Sequence, residues 1–400
     1  MALRAALNSS GGRGYQQRSD GSAFLPLKPP PAEPSSLRSD NFFGDYFSVW
    51  GDFTNYKMLD IIELIELNLV PMKKYISLLI ILVIAIVGGV YFMSKPTTPS
   101  GQEATSLRLK WFFNAGFTGD FVAKDKGFWN NEGIDVTIYE GGPNASPIQL
   151  VAGGSEEFGL ATGDQIILAR AKGIPVVAIA VIYQRNPLAF ISLQESGITR
   201  PQDFIGKKVG LTYTDDEPLY RSMINKLGID DKKIKETKVG FDYATFLNKE
   251  VDTYPVFENT QAIEIQQKGF KINIINPSDY DIQSYSNLYF TTEEIIENEP
   301  EKVEKFLRGV LNGWNYAIEN PDSALESVNR FAENINSNSN RASLAETLKL
   351  VKPTPDTQVG MMTREGWQKT QEILLENKIL AEPVDLNGVY TNEFLDEIYR

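Results

Sequence analysis

The chain has 400 residues, of which 42% are hydrophobic and 11% aromatic, and a formal net charge of −13. That length exceeds one ordinary core and predicts two lobes, or one domain with accessory segments, and the composition does not fit a disordered chain. The acidic balance argues against a nucleic-acid partner, and with no cysteine and no histidine the chain cannot form disulfides, thiolate or imidazole metal sites, thiol nucleophiles or a Ser-His-Asp triad.

In chain order, residues 1–71 come first. "LPLKPPPAEPSS" is Pro-rich and reads as disordered, and "MLDIIELIELNLV" has the spacing of a short amphipathic helix. Residues 72–95, "MKKYISLLIILVIAIVGGVYFMSK", hold an uncharged run from Tyr75 to Met93. At ~1.5 Å per residue that run nearly spans a ~30 Å hydrocarbon core. Lys73 and Lys74 precede it and place its N-side in the cytoplasm. The run is longer than a usual signal-peptide core and lacks a convincing small-residue cleavage site, so it is read as a single-pass anchor, with a cleaved signal segment as the alternative. Met72-Lys-Lys before an apolar run looks like a natural chain start, which makes residues 1–71 an expected upstream extension or a mis-assigned start. Residues 96–105 read as a flexible linker.

From Leu107 onward strand and helix patterns alternate. "LRLKW" alternates as a strand does, "FVAKDKGFW" follows as a short helix stopped by Gly127, and "IDVTIYE" alternates again. "NASPIQLVAGG" reads as a helix, "EFGLA" as a short buried strand, and "DQIILARAKG" as a helix with Asp164 as its N-cap. "IPVVAIAVIYQ" is an unbroken apolar run, the mark of a strand covered on both faces. A second series begins near Ile191. "KKVGLTY", "KIKETKVGF", "VDTYPVF" and "FKINIIN" are its strands, and "EPLYRSMINKLG", "YATFLN" and "TQAIEIQQKG" its helices. "NLYFTT" is one more strand, and the remainder is helical. Val303, Phe306, Leu307, Val310, Leu311 and Trp314 fall at helix spacing and are expected in a core. The β-α-β order predicts an α/β fold with mostly parallel sheet.

Several of these stretches together resemble a known family. "LKWFFNAGFTGDFVAKDKGFW", "EFGLATGDQIILARAKGIPVVAIAVIYQRNPLAF", "DFIGKKVGL", "VDTYPVFENTQ", "NPSDYDIQSYSNLYFTTEEII" and "EPEKVEKFLRGVLNGWNYAIENP" resemble, in order, blocks of the thiamine-pyrimidine-precursor binding family. That family belongs to the sulfonate/nitrate-type solute-binding proteins of ABC importers. The resemblance covers roughly residues 106–400. It implies a periplasmic-binding-protein-like fold of two α/β lobes, residues 106–190 with 286–400 and residues 191–285, with crossings near 188–196 and 281–289. It further implies an extracytoplasmic monomer that takes a small-molecule ligand, uses no cofactor, and works with permease and ATPase subunits. Phe113 and Phe117 stand where relatives carry Pro and His. A eukaryotic branch is a pyrimidine synthase that depends on an active-site His and a Cys-rich stretch. A chain without either residue is expected not to be an enzyme.

A flat heteroaromatic ligand needs aromatic walls and a few in-plane hydrogen bonds. Under the resemblance Trp111 ends the first strand and points into the cleft, with Asn114, Phe117 and Thr118 beside it. Gly116 and Gly119 would let backbone approach the ligand. Phe112, Phe121 and Phe128 read as core. Asp164 is either an N-cap or an acceptor for an exocyclic amine. Gln184 ends a buried strand at the lobe junction. Tyr213, Tyr254, Glu258, Asn259 and Gln261 come from the second lobe, and Tyr285 from the return crossing, where it could equally brace a hinge loop. Asp164, Asp215, Asp216 and Glu258 outnumber Arg185, which disfavours a sulfonate, nitrate or other anion as ligand. A flavin is a further alternative.

Overall fold

The chain is described from a computed structural model, over residues 101–214 and 216–400. Residues 1–71, the apolar run Tyr75–Met93 and the first half of the linker lie outside the described residues, so the anchor reading does too. Among the described residues no helix is long and apolar enough to cross a membrane.

Strand formation starts earlier than the "LRLKW" alternation suggests. β1 is Glu103–Arg108, and its first residues pair with β2, Ile134–Tyr139, from Glu103↔Ile134 onward. The last residues assigned to a flexible linker are therefore strand. Trp111 lies beyond the strand end, in the loop that follows, and its carbonyl accepts from Gly141 N–H at 3.0 Å.

The first lobe is a five-stranded sheet in the order β2-β1-β3-β10-β4, with β3 Phe158–Ala161, β4 Val176–Tyr183 and β10 Ser286–Thr292. The second is β7-β6-β8-β5-β9, with β5 Leu188–Leu193, β6 Lys208–Leu211, β7 Lys235–Lys238, β8 Thr253–Phe257 and β9 Ile272–Ile275. Each sheet is parallel except for one strand. That strand is the one entered from the other lobe, β10 in the first and β5 in the second, and both its neighbours run antiparallel to it. Leu188, Ala189 and Phe190 already pair with β8, so the second lobe begins ahead of the expected boundary at residue 191.

Helices cover both faces of each sheet. In the first lobe these include α1 Thr118–Asp125, α2 Phe128–Asn131, α3 Pro147–Ala152 and α4 Gly163–Ala171. The second lobe adds α5 Asp216–Lys226, α6 Ala244–Leu247 and α7 Gln261–Gln267. After β10 come α8 Glu293–Asn298, α9 Pro300–Glu319, α10 Pro321–Phe331, α11 Ser337–Val351, α12 Arg364–Glu376 and α13 Glu393–Ile398. Adjacent strand residues point to opposite faces, and the cores separate accordingly. Phe190 packs with Val209 and Tyr220, while Ile191 packs with Tyr254 and Ile265.

Every residue of β4 is buried although it ends the sheet order. The C-terminal segments cover that edge: Ala178 N–H donates to Val389 C=O at 2.9 Å and Val181 N–H to Gly360 C=O at 2.8 Å. The C-terminal helices also reach the second lobe. Asn225 Nδ2 on α5 donates to Asn377 Oδ1, at the end of α12, at 3.1 Å, and Asn259 Nδ2 donates to Thr347 Oγ1 of α11 at 2.9 Å. The chain crosses between the sheets through residues 184–187 and 276–285.

Candidate functional site

The C-terminal ends of the parallel strands in both lobes converge on one cleft of about 480 Å³. This is where α/β sheets offer a crevice, because the loops leaving the strand ends diverge there. Lys110 and Trp111 enter from the loop after β1. The segment from Gly142 to Gln149 enters after β2, and Gln165 and Leu168 from α4. The opposite wall is Thr212 and Asp216 after β6, Phe241 after β7, and Tyr254 to Phe257 of β8 with Gln261.

Three of the expected site residues line this cleft. Trp111 is half-buried, and its ring lies 5.3 Å from Phe241, tilted by 57°. Tyr254 is buried, and its hydroxyl is committed to backbone, to Gly240 C=O at 2.6 Å and Asp242 C=O at 3.0 Å. Burial pushes that hydroxyl above the usual tyrosine range, so it stays protonated and donating. Gln261 Oε1 accepts from Phe257 N–H at 3.0 Å, which leaves its Nε2 amide as the group to offer a ligand.

The other nine do different work. Asn114 caps a 3-10 turn by accepting from Gly116 N–H at 2.7 Å. Phe117 is 2% exposed and packs in the main core against Phe121. Thr118 is buried and donates to Ala115 C=O at 2.7 Å. Asp164 is not the N-cap of α4; Thr162 is, and Asp164 sits buried in the first turn, next to the cleft residue Gln165. Tyr213 lies past the end of β6 with φ of 58°, exposed, between the lining residues Thr212 and Thr214. Glu258 pairs with Arg185 at 2.5 Å and accepts from Asn276 Nδ2 at 2.8 Å, at the crossings. Asn259 is buried and donates to Tyr183 Oη as well as to Thr347. Gln184 and Tyr285 line a separate polar cavity of about 190 Å³ beside α12. Tyr285 Oη accepts there from Thr363 N–H at 2.9 Å, so of its two readings the brace fits the contacts.

Two aromatics exchange the places expected of them. Phe112, read as core, is 50% exposed and meets Trp111 edge-on at 5.5 Å. Phe117, read as wall, is core. β1 ends at Arg108, ahead of both residues, so strand alternation governs neither; Phe112 lies in the loop beyond it and Phe117 in the buried 3-10 turn Ala115–Phe117. Phe241 carried no signal in the sequence, since nothing local says that the loop after β7 will face the loop after β1.

The charge reading also changes. Asp216 spends its oxygens on its own helix start, accepting from Thr212 N–H at 2.7 Å and Thr214 N–H at 3.0 Å. Glu258 is paired with Arg185. Lys110 and Lys172, neither expected, line the cleft, and Lys110 Nζ lies 3.0 Å from Ser286 Oγ and 4.6 Å from the Phe257 ring centre.

Two α/β lobes, joined by two crossings around such a cleft, define the periplasmic-binding-protein fold. The chain belongs to the NMT1/THI5-like family, whose model matches residues 114–324, more than half of its length. It is 28% identical over 323 residues to the formylaminopyrimidine-binding protein of Halalkalibacterium halodurans, covering 78% of this chain and 98% of that one. It is 26% identical over 300 residues to the 4-amino-5-hydroxymethyl-2-methylpyrimidine phosphate synthase of Legionella pneumophila, covering 74% and 93%. The periplasmic aliphatic sulphonate binding protein SsuA of Escherichia coli shares the fold, with a TM-score of 0.60 at 16% identity over 72% of this chain and 92% of that one.

Proposed function

We propose that the chain is the extracytoplasmic solute-binding component of an ABC importer, and that it captures a small heteroaromatic solute such as a thiamine pyrimidine precursor between its lobes. The observation that carries the reading is the cleft of about 480 Å³, with Trp111 of the first lobe and Phe241 of the second in its lining. Its volume falls in the ~300–1,000 Å³ range of small-molecule sites, and its walls are mainly apolar with a few polar groups between. Stacking on an aromatic contributes ~1–3 kcal/mol, against about −8 kcal/mol for a micromolar binder, so a ring contact and several hydrogen bonds suffice. A volume in that range also admits a larger solute, and a flavin is the second reading.

The likeness to a named binding protein over 98% of its length supports this reading, and the likeness to a named synthase keeps the enzymatic one in competition. The chain has no histidine or cysteine for proton transfer or nucleophilic chemistry, which favours binding over turnover. The uncharged run Tyr75–Met93 supports an anchor that holds the binding domain at the outer face of the cytoplasmic membrane, beside permease and ATPase subunits. We assign no cofactor, and expect a monomer.

Titration calorimetry of the purified chain with formylaminopyrimidine and with riboflavin tests the reading. Binding of one of them at micromolar affinity or better is expected. Trp111→Ala should raise that dissociation constant about 5- to 150-fold, the scale of one stacking contact, with little change in melting temperature. Catalytic release of a pyrimidine product, or no binding of either solute, would overturn it.

A further inference from the structure

We infer that Trp111 and Phe241 form a clasp that closes over the bound solute, and that Tyr254 is the positioning residue that sets it. The inference rests on the cleft being the solute site. The two rings come from opposite lobes and already touch, with centroids 5.3 Å apart and planes tilted by 57°. A flat ring in contact with both would need roughly 7–8 Å between them, twice the optimal carbon–carbon separation. Nothing planar fits between them in this arrangement, so they do not sandwich a solute. A solute lies instead in the adjoining cavity, and the pair bridges the lobes across it.

Each ring is held from its own side. Phe112 meets Trp111 edge-on at 5.5 Å. In the second lobe one hydroxyl holds the loop that carries Phe241, because Tyr254 Oη shares its proton between Gly240 C=O at 2.6 Å and Asp242 C=O at 3.0 Å. Phe241 is 39% exposed, so the core does not set its place. The Tyr254 hydroxyl does, and Tyr254 itself lies in the cleft wall. Closing the cleft and fixing the clasp thus depend on the same strand, β8.

The absence of cysteine from the native sequence allows a clean test. Fluorophores on the full-length chain carrying Glu319→Cys and Lys232→Cys report the distance between the lobes. With no solute added, Phe241→Ala and Tyr254→Phe should each shift the transfer efficiency from that of the parent. With riboflavin or formylaminopyrimidine bound, each should speed release about 2- to 10-fold, the scale of one aromatic pair, and leave association nearly unchanged. Unchanged lobe distance in both variants overturns the clasp. A change with Phe241→Ala alone overturns the role of Tyr254. If the parent binds neither solute, the solute reading falls and the distance measurement still decides the clasp. Tyr254→Phe keeps the ring and its packing, so an unaltered melting temperature separates loss of position from loss of fold.

Discussion

Asp120 has no exposed surface, and its Oδ1 accepts from Tyr289 Oη at 2.6 Å while its Oδ2 has no hydrogen-bond partner. Tyr289 Oη in turn accepts from Trp314 Nε1 at 3.1 Å. Burial pushes the Asp120 carboxyl up to about 7 from an ordinary 3.8, and the Tyr289 hydrogen bond lowers it only in part. The folded chain then keeps a proton on Asp120 that the unfolded chain has lost. Its contribution to stability is therefore full below about pH 4 and is lost as pH rises toward 7, at no more than ~1.4 kcal/mol per pH unit. Asp120→Asn should flatten denaturant-derived stability between pH 4 and 7. An equal slope in both proteins would show that another group carries it.

At the scale of the element, α9 shows how periodicity and packing divide the work. The six apolar residues expected in its core are all buried, because they recur on one face of a regular helix. The pattern does not show why glycines sit among them. A Cβ on Gly313 would lie 2.2 Å from the Gly119 carbonyl oxygen on α1, and a Cβ on Gly119 would lie 2.3 Å from the Trp314 ring. Gly119, expected beside the ligand, thus serves the crossing of α1 and α9. Helix propensity alone favours Gly313→Ala by ~1 kcal/mol, and overpacking costs ~1–3 kcal/mol. Here the obstacle is backbone, which cannot swing aside, so Gly313→Ala should lower the melting temperature by several degrees, read in a thermal melt. A higher melting temperature would mean that α1 shifts at little cost.

Two crossings join the lobes, and Glu258 touches both through Arg185 in the first and Asn276 in the second. Arg185 is 39% exposed, so solvent screens the pair and its worth in stability is below ~1 kcal/mol. Its effect belongs to geometry. Glu258→Gln should leave the melting temperature within a degree or two but broaden the range of lobe angles, so that small-angle X-ray scattering gives a larger radius of gyration. An unchanged scattering curve would mean that the crossings are stiff without it. The same argument explains why Glu258, expected among ligand contacts, is absent from the cleft. Strand ends at a hinge have two directions to face, and the partner across the crossing decided which.

The sequence by itself determined the alternation of strand and helix, the fully covered strand β4, the helical face of α9, and the exclusion of histidine and cysteine chemistry. Each is a property of consecutive residues or of composition. Periodicity follows from the 2.0- and 3.6-residue repeats of the backbone, whatever lies opposite. The division into lobes was an expectation of the resemblance, and β5 already pairs with β8 from Leu188 onward. Only the tertiary structure decided which loop residues face the cleft. Trp111 lines the cleft from the loop beyond β1, Phe117 is in the core, Phe112 is exposed, and Phe241 and Lys110 join the wall. Those assignments depend on loops far apart in the chain meeting across two sheets, on β1 ending at Arg108, and on the 3-10 turn at Ala115–Phe117. No local pattern encodes the partner that arrives from more than a hundred residues away.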